Sequence, residues 1–257
     1  LIIVYPTQLP RSHRLVPAIL LFLLLSPARA VDNPSILFCS PQRLRYGWVD
    51  LDYLKELHRK GFEVDYTESF KEFTWERVKQ YRVLVVYRLS EGDDRKAYIE
   101  TIERFLEAGG GVFMMPYINN ADEGHRELVE PWGARFPLER YREGDKTRIV
   151  PFPNMRWLET MSLVDGIEKS PVTTGVYRLW LPYMDAYNAS VSAPISVSKD
   201  WQVVVRGSKT SRTEPVDLGK SSMPGPPDPL VRPGGVKQPD LMAIRSWKKG
   251  RIFLCVQ

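Results

Sequence analysis

The stretch that decides the fold is Arg95–Asn120, RKAYIETIERFLEAGGGVFMMPYINN. Ile99, Ile102, Phe105 and Leu106 recur at helical spacing, which predicts an amphipathic helix. Gly109-Gly110-Gly111 supplies the left-handed backbone that ends it. Val112–Met115 is an unbroken apolar run, as a parallel strand covered on both faces requires. Pro116-Tyr117-Ile118-Asn119-Asn120 follows, at the carboxyl end of a strand, where open α/β sheets bind ligands and do chemistry.

Working toward the N-terminus, the same grammar repeats. Arg82–Tyr87 (RVLVVY) reads as a buried strand and Phe73–Gln80 as a short helix with Thr74 as its cap. Phe62–Tyr66 alternates as a strand, Val49–Lys60 carries Leu51, Leu54 and Leu57 at helical spacing before Gly61, and Ser35–Ser40 opens the series as a buried strand. Strands alternating with helices in this order predict a mostly parallel sheet with helices on both faces.

Beyond Glu130 the helical signal thins. Val172–Trp180, Ile195–Ser198, Trp201–Ser208, Leu241–Trp247 and Arg251–Val256 read as strands, so the second half adds β-rich loops. Residues 219–239 hold too many Pro and Gly for regular structure and read as a surface loop. At the other end, residues 1–30 carry Arg11 and Arg14, an apolar run from Leu15 to Leu25, and Ala28-Arg29-Ala30, the A-x-A form of an export signal. The expectation is a protein exported to the periplasm or the extracellular space, touching a membrane only through that signal. Residues 31–257 would form a single α/β domain, and the chain opens on Leu and stops inside a strand, as a fragment would.

Removing residues 1–30 lowers the formal charge from +5 to +2. So small an excess, without a Lys/Arg stripe interleaved with aromatics, argues against a nucleic-acid partner. Cys39 and Cys255 both sit in apolar runs and read as small buried hydrophobes rather than a disulfide. No Cys/His spacing fits a metal centre, and no cofactor motif is present.

The succession YRVLVVY, RKAYIETIERFLEAGGGVFMM, SPVTTGVYRLWLP, DWQVVVRGSKTSR, SWKKGRIFL resembles the class I glutamine amidotransferase-like superfamily. Within it, the order is most similar to the ThuA-like (trehalose-utilisation) and β-galactosidase middle-domain-like branch. The resemblance implies a flavodoxin-like three-layer sandwich and a link to carbohydrate metabolism. Working amidotransferases place a nucleophilic Cys in the turn that here holds Pro116 or Tyr117, and complete the triad with His and Glu after the final strand. ThuA-like relatives put a His near that turn, where this chain has Pro116. The resemblance therefore implies an exported, non-catalytic domain that binds a small molecule, a carbohydrate in class, or docks a partner.

Candidate ligand contacts are Tyr117, Asn119 and Asn120, which offer a ring face and paired donors and acceptors for hydroxyls. Tyr46 in the first strand–helix loop and Arg88 past the third strand converge on the same rim in a flavodoxin-like order. In Ala121–Glu127 (ADEGHRE), Glu123 and His125 beside Asp122 read either as an acid/base or metal group, or as a solvated helix start capped by Asp122. A carbohydrate hydrolase using Asp122 and Glu123 is the alternative function. Trp157, Tyr177, Trp180, Tyr183, Tyr187 and Trp201 are expected mostly in the core, and Asn188-Ala189-Ser190 is a glycosylation acceptor only in a eukaryotic secretory pathway.

Overall fold

The structure is a computed structural model that describes residues 35–39, 51–67, 69–86, 94–116, 123–137, 139–151, 160–183, 193–215 and 235–256. Residues 1–30, which carry the expected export signal, and most of the 219–239 stretch lie outside the described residues.

Strand β1 (Ser35–Cys39) is buried along its whole length, as its apolar run demands. Helix α1 (Leu51–Arg59) turns Leu57 inward and closes at Gly61, whose φ of +85° suits a residue without a Cβ. β2 (Glu63–Tyr66) then pairs parallel with β1. A 3-10 turn, Phe70–Glu72, is capped by the Ser69 side chain, which accepts from the Lys71 amide at 3.1 Å. Helix α2 spans only Trp75–Val78, and the expected cap Thr74 occupies the N-cap position without a side-chain hydrogen bond. β3 (Val83–Val86) is again fully buried.

Helix α3 (Arg95–Glu107) buries Tyr98, Ile102, Phe105 and Leu106. Tyr98 thus takes the inward place expected for Ile99, which is only partly covered. Its end is a Schellman motif: the Gly110 amide donates to Phe105 O and the Gly109 amide to Leu106 O, both at 3.0 Å, with Gly109 at φ +92°. A Cβ on Gly110 would lie 2.1 Å from the Phe105 ring, so the glycine pair lets the chain fold back at once into β4 (Gly111–Met114). Helix α4 (Glu123–Val129) follows.

The second half is β-rich, as expected, but its elements differ in detail. It comprises β5 (Ala134–Arg135), β6 (Glu139–Arg142), β7 (Ile149–Pro151), β8 (Thr160–Val164), β9 (Gly166–Ile167) and β10 (Leu179–Tyr183). β11 (Ser196–Val197), β12 (Gln202–Arg206), β13 (Arg212–Pro215), β14 (Asp240–Trp247) and β15 (Gly250–Cys255) complete it. The strand expected over Val172–Trp180 is instead a 3-10 turn, Pro171–Thr173, ahead of β10, because Pro171 opens a capping box built by Ser170 and Thr173. Tyr177, expected in the core, is 76 % exposed, whereas Tyr183 and Trp201 are buried. Trp157 and Tyr187 lie outside the described residues.

Eight strands form one sheet in the order β2-β1-β3-β4-β15-β14-β12-β9. The first five pair in parallel, the flavodoxin-like order 2-1-3-4-5, and the last three extend the sheet antiparallel. Alternation splits the core between the two faces of this sheet. Ile36, Phe38, Val83, Val85, Phe113 and Phe253 pack on one face, where Leu57 of α1 and residues of the small sheet β10-β8-β7 cover them. Leu37, Leu84, Val112, Met114 and Leu254 pack on the other, under α2, α3, α4 and Trp132. Among the described residues, cover on the first face is largely β rather than helical.

Candidate functional site

Strand direction fixes which segments share an edge. β15 runs parallel to β4, β14 opposes β15, and β12 opposes β14, so β12 ends at the same edge as β1, β3, β4 and β15. Everything between Arg206 and Asp240 hangs from this carboxyl edge, as do the segments that follow β1, β3 and β4. Sheets of this order bind ligands outside that edge, at the point between β1 and β3 where the winding reverses.

Tyr46 and Arg88 belong to the two segments that flank the reversal point, and Tyr117, Asn119 and Asn120 to the segment that leaves β4; all five lie outside the described residues. Met115, whose amide donates to Val86 O at 2.9 Å, and Pro116 are buried at the end of β4. Glu123 opens α4. His125 is fully buried, three and four residues before the core residues Leu128 and Val129 and so on the same helix face, which means that this part of α4 is not the solvated start anticipated from its charges. Glu127 pairs with Arg95 at 2.8 Å and ties α4 to the start of α3. Among the described residues no three His, Cys, Asp or Glu side chains gather to hold a metal ion.

Both cysteines are free and buried. Cys39 belongs to the cluster on one face of the sheet and Cys255 to the cluster on the other, three strand positions apart in the sheet order. Burial pushes the Cys39 thiol up, and pushes Cys255 up to about 12. A thiol so disposed is a poor nucleophile. We expect neither cysteine to react with a maleimide on the native chain and both to react in denaturant; modification of the native chain at the free-thiol rate contradicts this placement.

At the β12 end of the edge lies a buried polar cluster. Its centre is Glu143, just past β6, whose Oε2 accepts from Tyr141 Oη at 2.9 Å and Ser208 Oγ at 2.6 Å. Its Oε1 accepts from Thr210 Oγ1 at 2.5 Å and the Asp145 amide at 3.0 Å, and the Arg148 guanidinium stands 3.7 Å away. Burial alone would raise this carboxyl, but the hydrogen bonds from Ser208, Thr210, Asp145 and Tyr141 outweigh it and hold Glu143 below the usual range. Burial and the adjacent Glu143 carboxylate push the Tyr141 phenol up to about 12. Arg148 also pairs with Asp165 at 2.8 Å and donates to Leu163 O. Every acceptor of Glu143 is filled, which makes it a strut joining β6, β8 and the turn after β12.

On the same face of β6, Glu139 is fully buried and neither of its oxygens has a hydrogen-bond partner among the described residues. Replacing a carboxyl left in this state by an apolar group of similar size removes a desolvation cost. We expect Glu139→Met to raise the unfolding free energy read from urea denaturation by about 1–3 kcal/mol; a fall in stability contradicts the geometry.

The opposite face of the same ribbon is cationic. β6 and β13 pair antiparallel, setting Arg140 against Glu214 and Arg142 against Arg212. Burial would raise the Glu214 carboxyl, but Arg142, Arg212 and Arg140 together hold it below the usual range. Sequence reasoning missed this group. Its signal is the alternation Arg140-Tyr141-Arg142, an aromatic between two guanidiniums on the opposite face of the strand, but its partners lie some 70 residues on in the chain.

No protein-family model matches the chain, and no curated protein sequence matches it. Among solved structures it is similar to a ThuA-like protein from Bacteroides uniformis, with a TM-score of 0.51 and 17 % identity over 89 % of this chain and 84 % of that one. A glutamine amidotransferase from Thermotoga maritima aligns with a TM-score of 0.38 and 11 % identity over 72 % of this chain and 73 % of its own. The parallel core in the order 2-1-3-4-5 and the likeness over most of both chains agree: this protein shares the α/β fold of the ThuA-like structure.

Proposed function

We propose that this chain is an exported, flavodoxin-like sandwich domain that has no amidotransferase chemistry and binds a small molecule, a carbohydrate in class, over the carboxyl edge of its sheet. The observation that carries the reading is the residue set at the end of β4. Met115-Pro116-Tyr117 stands where the resemblance calls for a nucleophilic cysteine, and the two cysteines of the sequence are buried within β1 and β15. Tyr117, Asn119, Asn120, Tyr46 and Arg88 belong to segments that leave this edge, and their side chains offer ring faces and hydroxyl partners. Export is read from residues 1–30, and the carbohydrate class from the family resemblance.

The test is thermal denaturation of the full chain against neutral mono- and oligosaccharides, divalent metals and glutamine, beside a Tyr117→Ala/Asn119→Ala variant. A ligand at a hundred times its Kd should raise stability by about 2.7 kcal/mol, or roughly 5–10 °C in a domain of this size. The variant should lose that rise. No rise with any saccharide, or release of glutamate from glutamine, overturns the reading, and release of reducing ends in the same samples would favour the hydrolase using Asp122 and Glu123.

A further inference from the structure

A cleft lies at the amino edge of the sheet, opposite the candidate site, where the residues that lead into β3 meet the end of α3. It holds about 300 Å³ of empty space, partly open to solvent. The Gly111 amide, which donates to Arg82 O at 2.9 Å, joins its two sides. Three rings line it, those of Trp75, Tyr81 and Phe105, and each is fixed by a contact of its own. The Arg104 guanidinium lies 4.1 Å over the Trp75 ring, and the Tyr81 hydroxyl donates to Asp65 Oδ2 at 2.5 Å. Phe105 is buried with its ring against Gly110, where a Cβ would stand 2.1 Å away. The Gly109-Gly110 pair that ends α3 adds a stretch of bare backbone, so the walls are formed before any ligand arrives.

Two donors of this cleft have no partner among the described residues. The Arg82 main chain is engaged, its amide donating to Ser35 O at 2.9 Å, yet its half-buried guanidinium makes no hydrogen bond or ion pair. The Trp75 indole Nε1 donates to no described residue either. Lys79, the other cation of the lining, is answered by Glu76. A guanidinium partly withdrawn from water without an acceptor costs free energy that a bound anion returns.

The surroundings restrict that anion. One unpaired guanidinium fork balances one negative charge, in two parallel hydrogen bonds to a planar carboxylate. The end of α3 beside it is the negative pole of that helix, which disfavours a dianion. Ring walls suit a flat apolar body. We propose that this cleft binds a small aromatic monocarboxylate, with its carboxylate on Arg82 and its ring against Trp75 and Tyr81. The site is separate from the carbohydrate edge and stands or falls without it.

The experiment is calorimetric titration of the full chain with benzoate, benzamide, acetate and inorganic phosphate, on the wild type, Arg82→Lys and Arg82→Gln. Benzoate should bind at least about tenfold more tightly than benzamide, the loss expected when hydrogen bonds to a charged group become neutral ones. It should also bind more tightly than acetate or phosphate. Arg82→Gln should lose at least tenfold in benzoate affinity, and Arg82→Lys, which keeps the charge without the fork, should lose part of it. Both variants alter a side chain that holds no partner, so neither should lower the melting temperature. Equal binding of benzoate and benzamide on the wild type overturns the charge pairing, whatever the variants do. Benzoate binding that survives in Arg82→Gln overturns the assignment to Arg82. Acetate binding as tightly as benzoate overturns the aromatic part, phosphate binding as tightly overturns the carboxylate class, and no binding by any of the four overturns the inference.

Discussion

Glu143→Leu should lower the stability of the folded chain at pH 7 by about 3–5 kcal/mol, the range for breaking a buried charged network by removing one partner. The substitution leaves the Tyr141, Ser208 and Thr210 hydroxyls and the Asp145 amide without their common acceptor, and removes one of the two carboxylates beside Arg148. The effect depends on pH in a fixed direction. The Glu143 carboxyl is depressed in the folded chain, so its contribution is fully present above the unfolded carboxyl value, about 4.3, and is lost as pH falls through the lower folded value. The gap between wild type and Glu143→Leu should therefore narrow in acid. Urea denaturation at pH 7 and at stepwise lower pH reads both quantities; a gap that is small at pH 7, or that widens in acid, contradicts the strut.

Trp132→Ala should cost a similar amount, about 3–5 kcal/mol, for a different reason. Trp132 is fully buried on the helical side of the sheet, where its indole Nε1 donates to Glu103 at 2.5 Å. Glu103 also accepts from Trp247 Nε1 at 3.2 Å and pairs with Lys248 at 2.9 Å, which ties α3 to the β14–β15 hairpin. The Trp132 carbonyl accepts from Trp201 Nε1 at 2.7 Å and from Arg245. Truncation at Cβ empties a large volume that these fixed elements cannot close. Trp132→Phe, which refills most of the space and loses only the indole hydrogen bond, should recover more than half of the loss. Circular dichroism in urea measures both variants, and equal losses from the two would show that volume is not what matters at this position.

The first half of the fold was legible because its pairings are local in character. Each strand from β1 to β4 is an apolar run or alternation bounded by a helix with a glycine stop, and Gly61 and Gly109 do take the left-handed backbone that such stops require. The second half was less legible because its pairings are distant. β15 joins β4 although more than 130 residues separate them, and β6 meets β13 across some 70, so no spacing in the sequence announces either. Local chemistry also misled at Pro171, where a capping box turned an apparent strand into a 3-10 turn, and at Tyr177, whose apolar surroundings in sequence do not bury it.

The candidate site divides in the same way. The edge itself follows from the βα alternation, and the residues expected there, Tyr46, Arg88, Tyr117, Asn119 and Asn120, belong to segments that leave it. His125 was legible as a helix residue but not as a buried one, because its acidic neighbours in sequence hide the i, i+3, i+4 relation to Leu128 and Val129. The pairing of Arg142 with Arg212 was invisible, since it exists only once the two strands are laid side by side.

The most direct test of ligand binding at the carboxyl edge is amide hydrogen exchange on the full chain, with and without the saccharide that gives the largest thermal shift. Slower exchange should appear in residues 40–50, 87–93 and 116–125, with the helical face around α3 unchanged. Protection confined to other parts of the chain, or no change with any saccharide, would contradict a binding site at this edge.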